Sequence, residues 1–522
     1  MQDSHHSTYD SIPYTQRPFP STHPGRLATV GTLLGLDPPD VRRCRVLEIG
    51  CGRGGNIVPM AEQLPNSTFL GIDLSAVQVR EAQQWVENLG FKNVEVRTWN
   101  IEEIDLSFGS FDYILCHGVY SWVPPSVQQA ILRVCSENLS PNGIAYVSFN
   151  TRPGWNTRGS IRDMISYHTQ RFETPQNKIV AARELLAMLQ MHLSEAETQQ
   201  QHLKKELALL KGMPDSYLFH EYLETHNEPI YFHEFVDRLK SSGLQYLADS
   251  DLGAAFQWNR SPGVVESMER LACDDIEVEQ YSDFLNNRMF RQSLICHASH
   301  TVNRQFNPLV IPQLYVESFL VPLDLKSQAE ESGGQPNFVH RRTGKAIRRD
   351  PLDSLFRIAF DILAEFGNAG CKFSELMSRI TSRTDGSNWS ADSRLHQERL
   401  LANELMRDYL AGNVAFHTTP ANYAHTVSLK PSASRVAKSQ IADGKSDGDT
   451  VTTLTHHEVR LSRLDRFVLC QLDGTKTIAE LAKGVESAIA QGDLESLDPT
   501  QPAIECLKRA LVNLVRMALL VS

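Results

Sequence analysis

Val46-Leu-Glu-Ile-Gly-Cys-Gly-Arg-Gly54 decides the fold. It is an apolar run ending in three alternating glycines, Gly50, Gly52 and Gly54. Nineteen residues past Gly54 a second apolar run, Thr68-Phe69-Leu70-Gly71-Ile72, closes on Asp73. A buried parallel strand, a glycine-lined turn and an acid ending the next strand make a nucleoside site. The glycines let backbone come close to the ligand, and the acid accepts hydrogen bonds from two ribose hydroxyls. The spacing is G-x-G-x-G, which differs from the G-x-G-x-x-G that seats a pyrophosphate on a helix N-terminus. An ordinary tight turn is the alternative, and Glu48 and Asp73 in register argue against it.

Strand and helix alternate outward from this turn. Ser75 caps a helix running to Leu89, with Gly90 as its stop. Asn93 to Trp99 predicts a third strand, Phe111 to His117 a fourth, Pro125 to Leu139 a helix, and Ile144 to Phe149 a fifth strand. Such spacing requires right-handed crossovers and a doubly wound α/β sheet whose ligands sit at its carboxyl edge. From Arg158 to Leu210 the pattern turns helical, and strand character returns at Gly243 to Ala248 and at Ala254 to Trp258, read as strands six and seven. The apolar stripe from Ile179 to Leu210 needs a partner, either within the chain or across a homodimer seam.

Two later blocks, 357–417 and 464–522, repeat one order of helices closed by a short apolar strand, each like a winged-helix unit. Residues 431–453, rich in Ser, Lys, Asp and Gly, predict a linker. The expected division is an N-terminal arm (1–40), a core (41–260) with a helical insertion (158–235), a middle domain (261–430), the linker, and a C-terminal domain (454–522).

With 41% apolar and 22% charged residues, the chain has the composition of a soluble globular protein. It holds no run near the roughly 18 apolar residues of a membrane span. Nine scattered cysteines without a C-x-x-C pair imply neither a disulfide framework nor a metal site, and a reducing cytoplasm fits. The net charge of −11 disfavours nucleic acid and anionic membrane as partners.

With Glu48 ahead of the turn, the pattern resembles the E/D-x-G-x-G-x-G motif of class I S-adenosylmethionine-dependent methyltransferases. That resemblance implies S-adenosyl-L-methionine as cofactor and S-adenosyl-L-homocysteine as product. Glu48 and Gly50, Gly52 and Gly54 then face the methionyl end, and Asp73 with Leu74 the ribose. Asn100 and Ile101 stand where the family contacts adenine. The loop Cys116-His117-Gly118-Val119-Tyr120-Ser121-Trp122-Val123-Pro124 opens over the donor, joined by Asn150-Thr151-Arg152-Pro153-Gly154-Trp155. His117, Tyr120, Trp122 and Trp155 are therefore the candidate catalytic residues, His117 also a donor contact, with core packing as the alternative for the aromatics and a structural hydrogen bond for His117. Tyr14, His23 and Arg26, in an aromatic arm ahead of the first strand, are candidates for the donor's carboxylate, with a surface-bound arm as the alternative.

Three stretches narrow the resemblance: Tyr9 to Leu27, Cys116 to Pro124 and Asn150 to Trp155, with Asn227-Glu-Pro-Ile-Tyr-Phe-His-Glu-Phe235 as a fourth. They look like bacterial methyltransferases that carry a methyltransferase regulatory domain, a group that includes the rickettsial protein-lysine methyltransferases of outer-membrane protein B. The resemblance implies a protein substrate bearing lysines. A small-molecule methyltransferase and a donor-binding regulator without catalysis are the competing readings.

Overall fold

The computed structural model describes residues 12, 17–192, 201–255, 262–304, 307–323, 337–349, 354–384, 389–442, 449–494 and 502–521. Strands β1 (Arg45–Ile49), β2 (Thr68–Asp73), β3 (Val94–Thr98), β4 (Phe111–Cys116), β5 (Leu139–Asn150), β6 (Leu244–Asp249) and β7 (Phe290–His297) form one sheet. Their order is β3-β2-β1-β4-β5-β7-β6. β1 pairs in parallel with both β2 and β4, placing Val46 opposite Phe69 and Tyr113. The strand order reverses between β1 and β4, so a crevice opens at their carboxyl ends, beyond Ile49 and Cys116.

The local signals act as expected around this crevice. The Ser75 hydroxyl accepts from Gln78 N–H to start helix Ala76–Leu89, and Gly90, at φ 69°, stops it in a left-handed conformation. Val46 and Leu47 are fully buried, as a strand covered on both faces requires.

The seventh strand is not where the sequence places it. Leu252–Ala255 is a helical turn, and residues 256–258 of the expected strand lie outside the described residues. β7 arrives after helices Pro262–Leu271 and Asp275–Asn286 and runs antiparallel to β5 and β6, so no crossover helix announces it. Fully buried Arg291, paired with Asp283 at 2.8 Å, also breaks its apolar run. The core therefore extends to residue 297 instead of ending at 260.

The insertion forms helices Gly154–Thr169, Pro175–His192, Gln201–Gly212 and Asp215–Tyr222. Ile161, Ile165, Ile179, Leu186, Leu207 and Leu218 share a core of their own, so the chain itself covers much of the predicted stripe. Val180 and Met191 stay exposed, at 56% and 75%.

In the middle domain, strand Tyr315–Ser318 pairs antiparallel with Cys371–Lys372 and Val414–His417, around helices Ser354–Phe366, Phe373–Arg383 and Ala391–Leu410. Its core is continuous with the sheet face carrying Val46, Tyr113 and Leu115. The C-terminal winged helix repeats the plan with helices Arg463–Gln471, Ile478–Ala490 and Ala503–Arg516 and strand Leu520–Val521. The expected linker is largely folded: Ser432–Ala433 pairs with Leu520–Val521, and helix Arg435–Ala442 buries Val436 and Ala437. A few apolar positions on one side suffice to anchor this polar segment, and composition hides them. Ser434 Oγ and the Arg435 N–H both donate to Glu62, at 2.6 Å, docking the segment on the core. Among the described residues no helix is long and apolar enough to cross a membrane.

Candidate active site

The turn after β1 is built by positive backbone angles. Gly50 lies at φ 73°, and a Cβ there would sit 2.5 Å from Val119 Cγ2. Gly52, at φ 52°, would meet Gln78 Oε1 at 2.9 Å. Both positions favour glycine for conformation and for space. Gly54, at φ 80°, packs against Val58.

At the end of β2, Asp73 accepts from Gly52 N–H at 2.8 Å and from Ser75 N–H at 2.9 Å, which ties the acid to the turn. Leu74, beside it, is 72% exposed. Glu48 is buried near the end of β1, with Oε1 accepting from Asn56 Nδ2 at 2.7 Å, the Ile57 N–H facing the carboxyl, and Oε2 buried without a well-formed hydrogen bond. Burial pushes its carboxyl up to about 8; the Asn56 hydrogen bond opposes the shift and the Asp73 charge adds to it. An orphaned carboxylate oxygen beside a glycine cradle fits a ligand that brings a cation. S-Adenosylmethionine has that ammonium, so the residues present fit the donor.

The adenine candidates are engaged locally. Asn100 Oδ1 accepts from Glu102 N–H at 3.1 Å, and Ile101 packs in the core with Ile49 and Ile72.

On the acceptor side the structure divides the aromatics. Tyr120 opens a 3-10 turn, Tyr120–Trp122, that points it into the core. It is 1% exposed, set edge-on to Phe149 and Phe235, with Arg238 Nη1 donating to its hydroxyl at 3.3 Å. The packed ring and the hydrogen-bonded hydroxyl fit the core-packing alternative for Tyr120. Trp122 meets Trp155 edge-on at 6.0 Å, with Arg162 over the first ring and Arg158 over the second. Trp155 is buried, so this pair lies where the fourth- and fifth-strand loops meet the insertion.

His117 holds the centre. Its ring lies 3.9 Å from that of Phe19 and edge-on to Phe290, and Nδ1 is 2.8 Å from the Tyr146 hydroxyl. Burial lowers its pKa to about 4, so the imidazole is neutral near pH 7. It can exchange hydrogen bonds but is a weak proton acceptor.

Arg26 donates from Nε to the Ser250 carbonyl at 2.9 Å and lies over the Tyr409 ring. These contacts tie helix Pro24–Leu33, which carries Arg26, to the end of β6 and to the middle domain. Tyr14 lies outside the described residues. Sequence reasoning missed Phe19, Asn56, Tyr146 and Phe290. A polar Asn56 just past the glycines and a lone tyrosine in the buried run Ile144 to Phe149 were the available signals.

Three family models match this chain: a methyltransferase domain over residues 46–143, a predicted methyltransferase regulatory domain over 214–297, and the PKMT C-terminal winged helix domain over 430–519. It is 34% identical to the uncharacterized protein RP789 of Rickettsia prowazekii, covering 94% of this chain and 87% of that one. RP028 of the same organism is 40% identical, over 46% of this chain and 96% of its own length. The structure of PKMT2 from Rickettsia typhi in complex with AdoHcy superposes with a TM-score of 0.85 at 28% identity, covering 98% of this chain and 100% of that one. S-Adenosylmethionine is the cofactor. The chain belongs, with RP789, to the class I S-adenosylmethionine-dependent methyltransferases that carry a methyltransferase regulatory domain.

Proposed function

We propose that this methyltransferase acts on lysine side chains of a protein. The observation that carries the reading is the likeness to R. typhi PKMT2 along 98% of the chain, C-terminal winged helix included. A small acceptor would need none of that additional surface.

The donor, when bound, supplies an electrophilic methyl group on a sulfonium. Glu48 is suited to face the ammonium of the methionyl end, and Asp73 to accept from the ribose hydroxyls. The turn at Gly50 and Gly52 lets backbone approach between them. The wall formed by Phe19, His117, Tyr146 and Phe290 suits the apolar stem of a lysine. A lysine ammonium with a pKa of about 10.4 must lose its proton to react, and burial in an apolar channel promotes that loss. Neutral His117 orients the amine through a hydrogen bond, and the proton leaves to water. We further propose that the exposed apolar face of the insertion, around Val180 and Met191, pairs two copies of the chain.

Incubation with methyl-labelled donor and a cell lysate tests the reading. Label in protein, at lysine, supports it; label confined to small molecules assigns the enzyme a different acceptor.

A further inference from the structure

The donor site has a contact from the far end of the chain. Strands Thr450–Thr452 and Glu458–Arg460 of the C-terminal domain form a hairpin, and its tip, Thr453 to His457, is driven into the methyltransferase core. Gln63 Nε2 donates to the Thr453 carbonyl at 3.0 Å and holds the tip in place. His456 is 1% exposed, and its Nε2 lies 2.8 Å from Asn56 Oδ1, across 400 positions of sequence. It does so at φ 62°, a left-handed conformation uncommon outside glycine.

The chemistry at Asn56 fixes the direction of every bond. Phe19 N–H can only donate, and it donates to Asn56 Oδ1 at 2.8 Å, so that atom is the amide oxygen. His456 Nε2 must therefore carry the proton and donate as well. With its oxygen so held, Asn56 presents its amide nitrogen to Glu48 Oε1 at 2.7 Å and to the Thr22 hydroxyl at 3.0 Å. Without His456 the amide keeps Phe19 and Thr22, besides Glu48 itself, to orient it. Phe19 is also the residue whose ring packs, tilted, against His117.

We propose that His456 is a positioning residue for methyl-donor binding: through Asn56 it orients Glu48, so the C-terminal winged helix completes the donor site of the methyltransferase domain. The inference rests on the reading of Glu48 as the acid facing the donor's ammonium.

The test is calorimetric titration of the full-length protein with S-adenosyl-L-homocysteine, read beside the melting temperature and the KM and kcat for the donor. His456→Gly suits the left-handed backbone angle and so preserves the hairpin while removing the imidazole. It should weaken binding about tenfold, the scale of a hydrogen bond to a charged network. KM for the donor should rise with kcat retained. His456→Gln, whose amide can donate from the same place, should recover most of the loss. In a Glu48→Gln background, His456→Gly should add less than about a twofold change, because residues acting through one another are non-additive. Wild-type affinity in His456→Gly, with Glu48→Gln weakened, overturns the role of His456 alone. A loss that persists undiminished in the Glu48→Gln background, with a lowered melting temperature, overturns it in favour of a purely structural contact. Wild-type affinity in Glu48→Gln removes Glu48 from the donor site and His456 with it.

Discussion

Removing the charge of Glu48 should change how donor affinity depends on pH. In the empty site burial pushes its carboxyl up to about 8, so it is mostly protonated at neutral pH. An arriving ammonium favours the ionised form, so binding expels a proton and affinity must rise with pH up to that pKa. If only the ionised carboxyl and the protonated donor amine bind, affinity climbs roughly twenty-five-fold between about pH 6 and pH 8, and at about pH 7 it is roughly threefold below its maximum. Above that, loss of the proton from the donor's own amino group, with a pKa of about 8, reverses the trend. The profile is a bell with its maximum near 8. Glu48→Gln should lose its acid limb and cost about 1.5–3 kcal/mol at the maximum, the range for a hydrogen bond to a charged group. Titrations with S-adenosyl-L-homocysteine in two buffers of different ionisation enthalpy give both the affinity and the protons released. Affinity flat from about pH 6 to 8, or an acid limb surviving in Glu48→Gln, would refute the assignment.

Other substitutions probe the remaining parts of the site. Asp73→Ala removes two charge-assisted bonds to the ribose and should cost on the order of 2–4 kcal/mol of donor affinity by calorimetry; unchanged affinity in the folded variant contradicts its role. Gly50→Ala brings a Cβ within 2.5 Å of Val119 Cγ2 at φ 73°, so thermal unfolding should show about 1–3 kcal/mol of lost stability, with binding lost as well. Tyr120→Phe gives up only the bond from Arg238, costing about 1–2 kcal/mol of stability with turnover retained; a large fall in kcat would return Tyr120 to the chemistry. Val180→Glu with Met191→Glu should convert a dimer to a monomer in sedimentation, and a wild-type monomer denies the insertion that role.

The donor turn was legible because it is local. Val46 to Gly54 and Thr68 to Asp73 carry strand, turn and acid in one short stretch, and β1 and β2 are neighbours in the sheet. What failed depended on contacts distant in sequence. β7 pairs antiparallel after two helices and carries a buried arginine, so neither periodicity nor a crossover marks it. Tyr120 and Trp122 look equivalent in a loop, yet one 3-10 turn sends Tyr120 into the core. His456, itself in a left-handed conformation, reaches Asn56 from just past the expected linker, and no pattern in the sequence joins the two.

The central claim is methyl transfer to protein lysine, and mass spectrometry of protein from a lysate incubated with the enzyme and isotopically labelled S-adenosylmethionine tests it most directly. The account predicts labelled methyl groups on lysine Nζ atoms of particular proteins, abolished by Asp73→Ala. Label recovered only in small molecules, or on residues other than lysine, would contradict it.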